Sequence, residues 1–241
     1  MQARMVANTA SRKMPVRYGV LRSWAHLVLV PFRELQFLAS TMRDVSSVPP
    51  QSVKLRIIRS LLKLHQPGIS FVGTGTCLGD TTAMVRRLGY RVISIELDQA
   101  QYARAQHRFR DDPDVVLVHG DCVTALQQVL PRLTRPAVLW LDAHHSGGIT
   151  AGGPSDDPIL ACLTELRDQT IRSHSLLIDD VATFDGQRSR PDLVQVMLAI
   201  RAINSEYRIR IQGDIIVATV NRTTSSNNGW KIHSSVRETR P

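Results

Sequence analysis

The chain has 241 residues, 43% hydrophobic and 21% charged, the balance of a soluble globular protein with one sizeable core. Its net charge of +9 sits in the flanks: residues 1–50 hold 7 Lys/Arg against 2 Asp/Glu and residues 221–241 hold 4 against 1, which leaves 19 against 18 between them. A near-neutral middle with only 5% aromatic residues argues against a basic nucleic-acid groove or a base-stacking platform, and leaves the ends as solvated tails or as contacts for something acidic.

Residues 1–50 read as a basic helical N-terminal extension. Its longest apolar run, "HLVLVPF" (26–32), is too short to span a bilayer and begins too late for a secretory signal. Leu21, Trp24, Leu27, Val28, Leu35 and Leu38 fall near one helical face, which suits packing on the chain's own core better than contact with a membrane surface. "SSVPP" (46–50) is a linker. "QSVKLRIIRSLLKLHQPG" is a helix that stops before Pro67-Gly68. From there strand and helix signals alternate. Strands are expected at 69–73, 91–97, 115–120, 137–142 and 174–180, and helices at 79–89, 98–110, 122–133, 158–170 and 191–204. "YRIRIQG" and "DIIVATV" close the pattern as a hairpin turning near Gly213, before a basic C-terminal tail at 221–241. Cys77, Cys122 and Cys162 have no CxxC spacing, which fits a reducing, cytoplasmic compartment and no zinc knuckle.

Five apolar strands, each followed by a helix, make βαβ units: an α/β, Rossmann-like, doubly wound and mostly parallel sheet, with the hairpin adding an antiparallel strand at its edge. In such a sheet ligands bind beyond the carboxyl ends of the strands. The first strand ends in "FVGTGTCLGDTT" (71–82), where Gly73, Gly75 and Gly79 give a flexible turn opening a helix with free N–H groups. The second ends in "SIELD", and Glu96, 17 residues past Gly79, suits the hydroxyls of a ribose. The third ends in "HGDC"; Asp121 either accepts from an adenine amino group or caps the next helix. The fourth ends in "LDAHH" and the fifth in "LLIDD". Asp142, Asp179 and Asp180 therefore fall on strands expected to be neighbours, where three carboxylates repel unless something positive lies between them. A hard divalent cation such as Mg²⁺ answers that need. His144 or His145, just past Asp142, is then placed to take a proton from a hydroxyl that the cation has acidified.

These strand ends resemble class I S-adenosylmethionine-dependent methyltransferases over about residues 68–220. Asp142 with the Asp179-Asp180 pair further resembles the metal-dependent O-methyltransferases of the catechol and macrocin types. The resemblance implies a seven-stranded sheet with its last strand antiparallel. It implies a cofactor-binding set of Gly73, Thr74, Gly75, Thr76, Gly79, Asp80, Thr81, Glu96, Asp121 and Cys122, Mg²⁺ on Asp142, Asp179 and Asp180, and His144 or His145 as the proton acceptor. It also implies a domain at 51–220 and, for the extension, a lid or a homodimer contact. The chain departs from the family where an Asp or Glu is usual in or just before the glycine loop: Phe71 or Gly73 stands there. The acceptor class is a small molecule or a sugar, with the polar stretch from His144 to Asp157 shaping its pocket. Two rival readings stay open. Asp142, His144 and Asp179 or Asp180 could ligate the metal of a deacetylase-like amidohydrolase. Alternatively, the domain could be a methyltransferase-fold binding protein without activity.

Overall fold

The computed structural model describes residues 51–65, 68–142, 158–187 and 190–220. The N-terminal extension, the C-terminal tail, and the stretch holding His144 and His145 lie outside the described residues.

The elements run α1 (Gln51–Leu62), β1 (Ser70–Thr74), α2 (Asp80–Arg87), β2 (Arg91–Glu96), α3 (Gln99–Phe109), β3 (Val115–His119), α4 (Cys122–Val129), β4 (Val138–Leu141), α5 (Ile159–Arg167), β5 (Ser175–Ile178), α6 (Leu193–Ile203), β6 (Arg208–Gln212) and β7 (Ile215–Thr219). One seven-stranded sheet has the order β3-β2-β1-β4-β5-β7-β6. Strands β1 to β5 are parallel, and β7 is antiparallel to both β5 and β6. The expected fold is therefore present, with one refinement. The antiparallel strand does not end the sheet; it slots between β5 and β6, and β6 forms the margin. The hairpin turn that allows this has positive φ at both Gly213 and Asp214, as a two-residue turn matched to strand twist requires.

Burial follows sheet position. Strands β4 and β5 are buried along their whole length, whereas the marginal β6 alternates, with Ile209 and Ile211 inward and Arg208, Arg210 and Gln212 outward. In the central strands successive residues feed opposite faces. Leu139, Leu141, Leu176, Ile178 and Ile216 join Leu126, Leu163 and Ile200 from α4, α5 and α6 in one core. Val138, Trp140, Leu177 and Val217 join Ile58 and Leu62 from α1 and Val85 from α2 in the other. Two helical layers thus sandwich one sheet.

Helix α1 explains itself by spacing. Residues 54, 57, 58, 61 and 62 recur at the i, i+3, i+4, i+7, i+8 interval, and these five are its buried positions. Four are Ile or Leu; the fifth is Lys54. Just past its C-terminal end, His65 Nε2 meets Ser175 Oγ at 2.8 Å, at the first residue of β5. Among the described residues no helix is long and apolar enough to cross a membrane.

His174, 1% exposed just before β5, accepts a hydrogen bond at Nδ1 from the Ala137 N–H, 3.0 Å away. Burial drives its pKa down to about 4, against a hydrogen bond with the Ile171 backbone that pulls the other way. The unfolded chain binds this proton from about pH 6.5 downward while the folded chain refuses it until about pH 4. Stability should therefore be lost as pH falls through that window, by up to ~3 kcal/mol. Urea unfolding of wild type and His174→Asn between pH 4 and 7 checks this: the variant's slope with pH should be shallower.

Candidate functional site

The parallel ladder sets the carboxyl ends of β2, β1, β4 and β5 side by side, with Thr74 opposite both Ile95 and Leu141, and Leu141 opposite Ile178. Chain order reverses at β1, whose neighbours are β2 on one side and β4 on the other. In open sheets of this kind, ligands bind at such a switch point.

On the β1–β2 side the turn after Thr74 is hooked to the end of β2. The N–H groups of Gly75 and Thr76 both donate to the Ile95 carbonyl, and Thr76 Oγ1 lies 2.7 Å from Ser94 Oγ. Glu96, 8% exposed, closes the turn: Oε2 accepts from the Cys77 N–H at 2.7 Å and Oε1 from the Asp98 N–H at 2.9 Å. A carboxylate has about four acceptor positions, so these two bonds still leave room for hydroxyl donors. Gly75 and Gly79 have φ of 76° and 78°, in the left-handed region. Gly79 also lacks space: a Cβ there would sit 2.8 Å from Phe109 Cε2. Asp80, exposed in the first turn of α2, pairs with Arg108 at 2.9 Å, and the same guanidinium donates to the Leu78 carbonyl. Thr81 follows, half-buried. Gly73 is buried within β1, near the rings of Phe71 and Trp140.

Asp121 caps the helix that follows it. Its Oδ1 accepts from the N–H groups of Val123 and Thr124 at 3.0 and 3.1 Å, which makes it the N-cap of α4. Burial alone would raise its pKa, but the hydrogen bonds from Thr124 and Val123 hold it below the usual carboxylate range. The Thr124 side chain also hydrogen-bonds the carboxylate. Cys122 is buried, with Sγ 3.3 Å from Cys162 Sγ, so its thiol serves the contact between α4 and α5.

On the β4–β5 side the expected trio meets. One carboxylate oxygen from each of Asp142, Asp179 and Asp180 lies within 4.8 Å of the other two. Thr74 sets the first: buried at the end of β1, its Oγ1 accepts the Asp142 N–H at 2.9 Å. Asp179 continues the β4–β5 ladder by donating its N–H to the Leu141 carbonyl. Consecutive residues of an extended strand point to opposite sides, but Asp180 has φ of 53° and leaves strand geometry. Its N–H turns back onto Asp179 Oδ1 at 2.9 Å, and its side chain comes round to the side of its neighbour. The segment behind, residues 181–183, is held by the hairpin turn: Asp214 accepts from the Val181 N–H through its carbonyl and from the Ala182 N–H through Oδ1.

A cation already stands among these acids. Lys54 Nζ lies 2.6 Å from Asp179 Oδ2 and 2.7 Å from Asp180 Oδ1, with the lysine side chain 11% exposed and that of Asp179 1%. Burial, then the charges of Asp142 and Asp180, raise the Asp179 pKa to about 7, while Lys54 pulls it down. For Lys54, burial favours losing the proton, and its two ion pairs more than reverse that; the ammonium is the form held. Positive charge is thus supplied at Asp179 and Asp180 by a residue the motif reading did not single out. Its signal was present in the sequence: a lysine on the apolar stripe of an amphipathic helix.

The glycine turn is open to test. Gly79→Ala combines a disfavoured φ with a clash against Phe109, and should cost about 1–2 kcal/mol or more of stability, read as a lower urea midpoint at unchanged m-value.

No protein-family model matches the sequence, and no curated protein matches it. Solved structures do. An O-methyltransferase from Bacillus cereus, in complex with SAH, aligns with TM-score 0.51 at 17% identity over 82% of this chain and 96% of that one. The O-methyltransferase TomG from Streptomyces achromogenes, involved in tomaymycin synthesis and in complex with SAM, aligns at TM-score 0.49 and 15% identity over 81% and 93%. The seven-stranded sheet, its strand order and the first of these alignments together give the chain the Rossmann-like fold seen in that O-methyltransferase.

Proposed function

We propose that this chain is an S-adenosylmethionine-dependent methyltransferase that methylates a hydroxyl of a small molecule or sugar with the help of Mg²⁺. One observation carries the reading. Along a single sheet edge, a glycine turn fastened to Glu96 lies on one side of the switch point and a carboxylate trio lies on the other.

The first half suits a nucleoside. Gly75 and Gly79 would let the backbone come close to a ligand, and Glu96 would accept from ribose hydroxyls. Asp121, at the end of β3, would accept from the adenine amino group beside its helix cap. Thr76 ties the turn to the end of β2 and Asp80 pairs with Arg108 beside it, with Thr74 before the turn and Thr81 after it in the chain. The second half suits a hard cation: the donor set is all oxygen and anionic, and Asp142, Asp179 and Asp180 would hold it. Bound S-adenosylmethionine supplies an electrophilic methyl group, and bound Mg²⁺ makes a nearby hydroxyl more acidic. The chain's own residues place the two reactants, and placement is itself a large part of such catalysis. His144 or His145, two or three residues past Asp142 and outside the described residues, takes the hydroxyl proton.

Titration calorimetry with S-adenosylmethionine, with and without Mg²⁺, tests this. The expected result is nucleoside binding, weakened about tenfold or more (about 1.4 kcal/mol) in Glu96→Ala. Asp142→Ala should abolish metal-dependent turnover and leave nucleoside affinity within about threefold of wild type. Zinc or manganese binding with no nucleoside would favour an amidohydrolase, and binding of neither an inactive member of the fold.

A further inference from the structure

Lys54 has no part in the proposed reaction, yet it sits where that reaction needs a metal. Its ammonium bonds two of the three candidate ligands directly. With the Asp180 N–H on the other oxygen, both oxygens of Asp179 are engaged. A divalent ion bonds carboxylate oxygens at about 2 Å. Placed on Asp179 and Asp180, it would press a double positive charge against the ammonium, in a place too buried for water to screen the repulsion.

We infer that Lys54 is the resident counter-ion of the acid trio and that the ammonium and a divalent cation occupy the trio in turn, so that Lys54 is the residue that sets the site's metal affinity. The inference rests on reading Asp142, Asp179 and Asp180 as the cation locus of the acceptor side. The architecture permits the exchange. Lys54 lies in the first turn of α1, while the helix is anchored by Ile57, Ile58, Leu61 and Leu62 in later turns and by the His65–Ser175 bond beyond its end. The lysine can leave on its flexible stem without undocking the helix. Metal loading then carries a penalty that a bare acid trio would not have, and the trio keeps a balancing charge whenever the metal is absent.

Mn²⁺ binding to the full chain, followed by the electron paramagnetic resonance of the free ion, tests this without reference to turnover. Lys54→Met keeps the apolar stem and removes the charge; it should bind Mn²⁺ about tenfold or more tightly than wild type. Lys54→Arg, which keeps the charge, should stay near wild type. Adding Asp142→Asn to Lys54→Met should abolish the gain. Equal affinity in wild type and Lys54→Met, or a gain that survives Asp142→Asn, overturns the inference. If Lys54→Met fails to fold, the wild-type protein still decides: an amine-directed acylating reagent, read by peptide mass spectrometry, should label Lys54 severalfold faster once Mn²⁺ is bound. Labelling unchanged while Mn²⁺ binds overturns the inference equally. Nucleoside calorimetry separates the two proposals, since loss of S-adenosylmethionine binding would sink the proposed methyltransferase and leave the exchange at Lys54 standing.

Discussion

Three ionised carboxylates cannot share a buried corner of a protein without a positive charge among them. Most of the site's construction answers that constraint. Asp179 is 1% exposed in its side chain and has Asp142 and Asp180 as like-charged neighbours, so its ionised form is expensive. The chain meets the cost from a distance of 125 residues, by laying α1 across the sheet with a lysine in its first turn. The helix has the necessary reach, since its twelve residues span about 18 Å and the path from Ser175 to Asp179 spans about 13 Å. His65 at one end of α1 and Lys54 at the other thus touch the two ends of the same strand. The helix works as a strut along β5 as well as a cover for one core.

The rest of the site is built by hydrogen bonds that cross between strand ends. Thr74 fixes the start of the Asp142 segment, Glu96 fixes the glycine turn, and Asp214 fixes the backbone behind Asp180. None of these contacts is local in sequence, and each satisfies a backbone donor that would otherwise be stranded at a sheet edge. The acids and hydroxyls at the strand ends therefore have a structural duty whatever ligand arrives. Asp121 illustrates this: its carboxylate caps a helix through the N–H groups of Val123 and Thr124.

Much of this could be read from the chain beforehand, for identifiable reasons. Alternating apolar runs and amphipathic helices carry strong periodic signals, so the βαβ order and all seven strands were legible. Strand ends in such a sheet converge by rule, and the meeting of Asp142 with Asp179 and Asp180 followed from that rule alone. What was not legible depended on contacts across the sheet. The place of β7 inside β6 is a matter of pairing, which residue pattern does not encode, because both strands carry enough apolar residues to pair with β5. The thiol of Cys122 turns into the core, a choice made by its neighbour Cys162 on another helix. Lys54 was hidden for a different reason. One cation on an apolar stripe is read as noise until the stripe is seen lying over two carboxylates.

The hairpin at the C-terminal end of the described fold has a bearing on how the protein is made. Strand β7 completes the pairing of β5, and Asp214 in the turn before it grips the segment behind the acid pair. A ribosome delivers those residues after the other six strands of the sheet. The acidic corner is thus unfinished until the seventh strand has been made, and its assembly must wait for a long-range closure that is slow by nature. A nascent chain halted before residue 214 would carry the glycine turn and all three aspartates yet lack the brace that sets two of them.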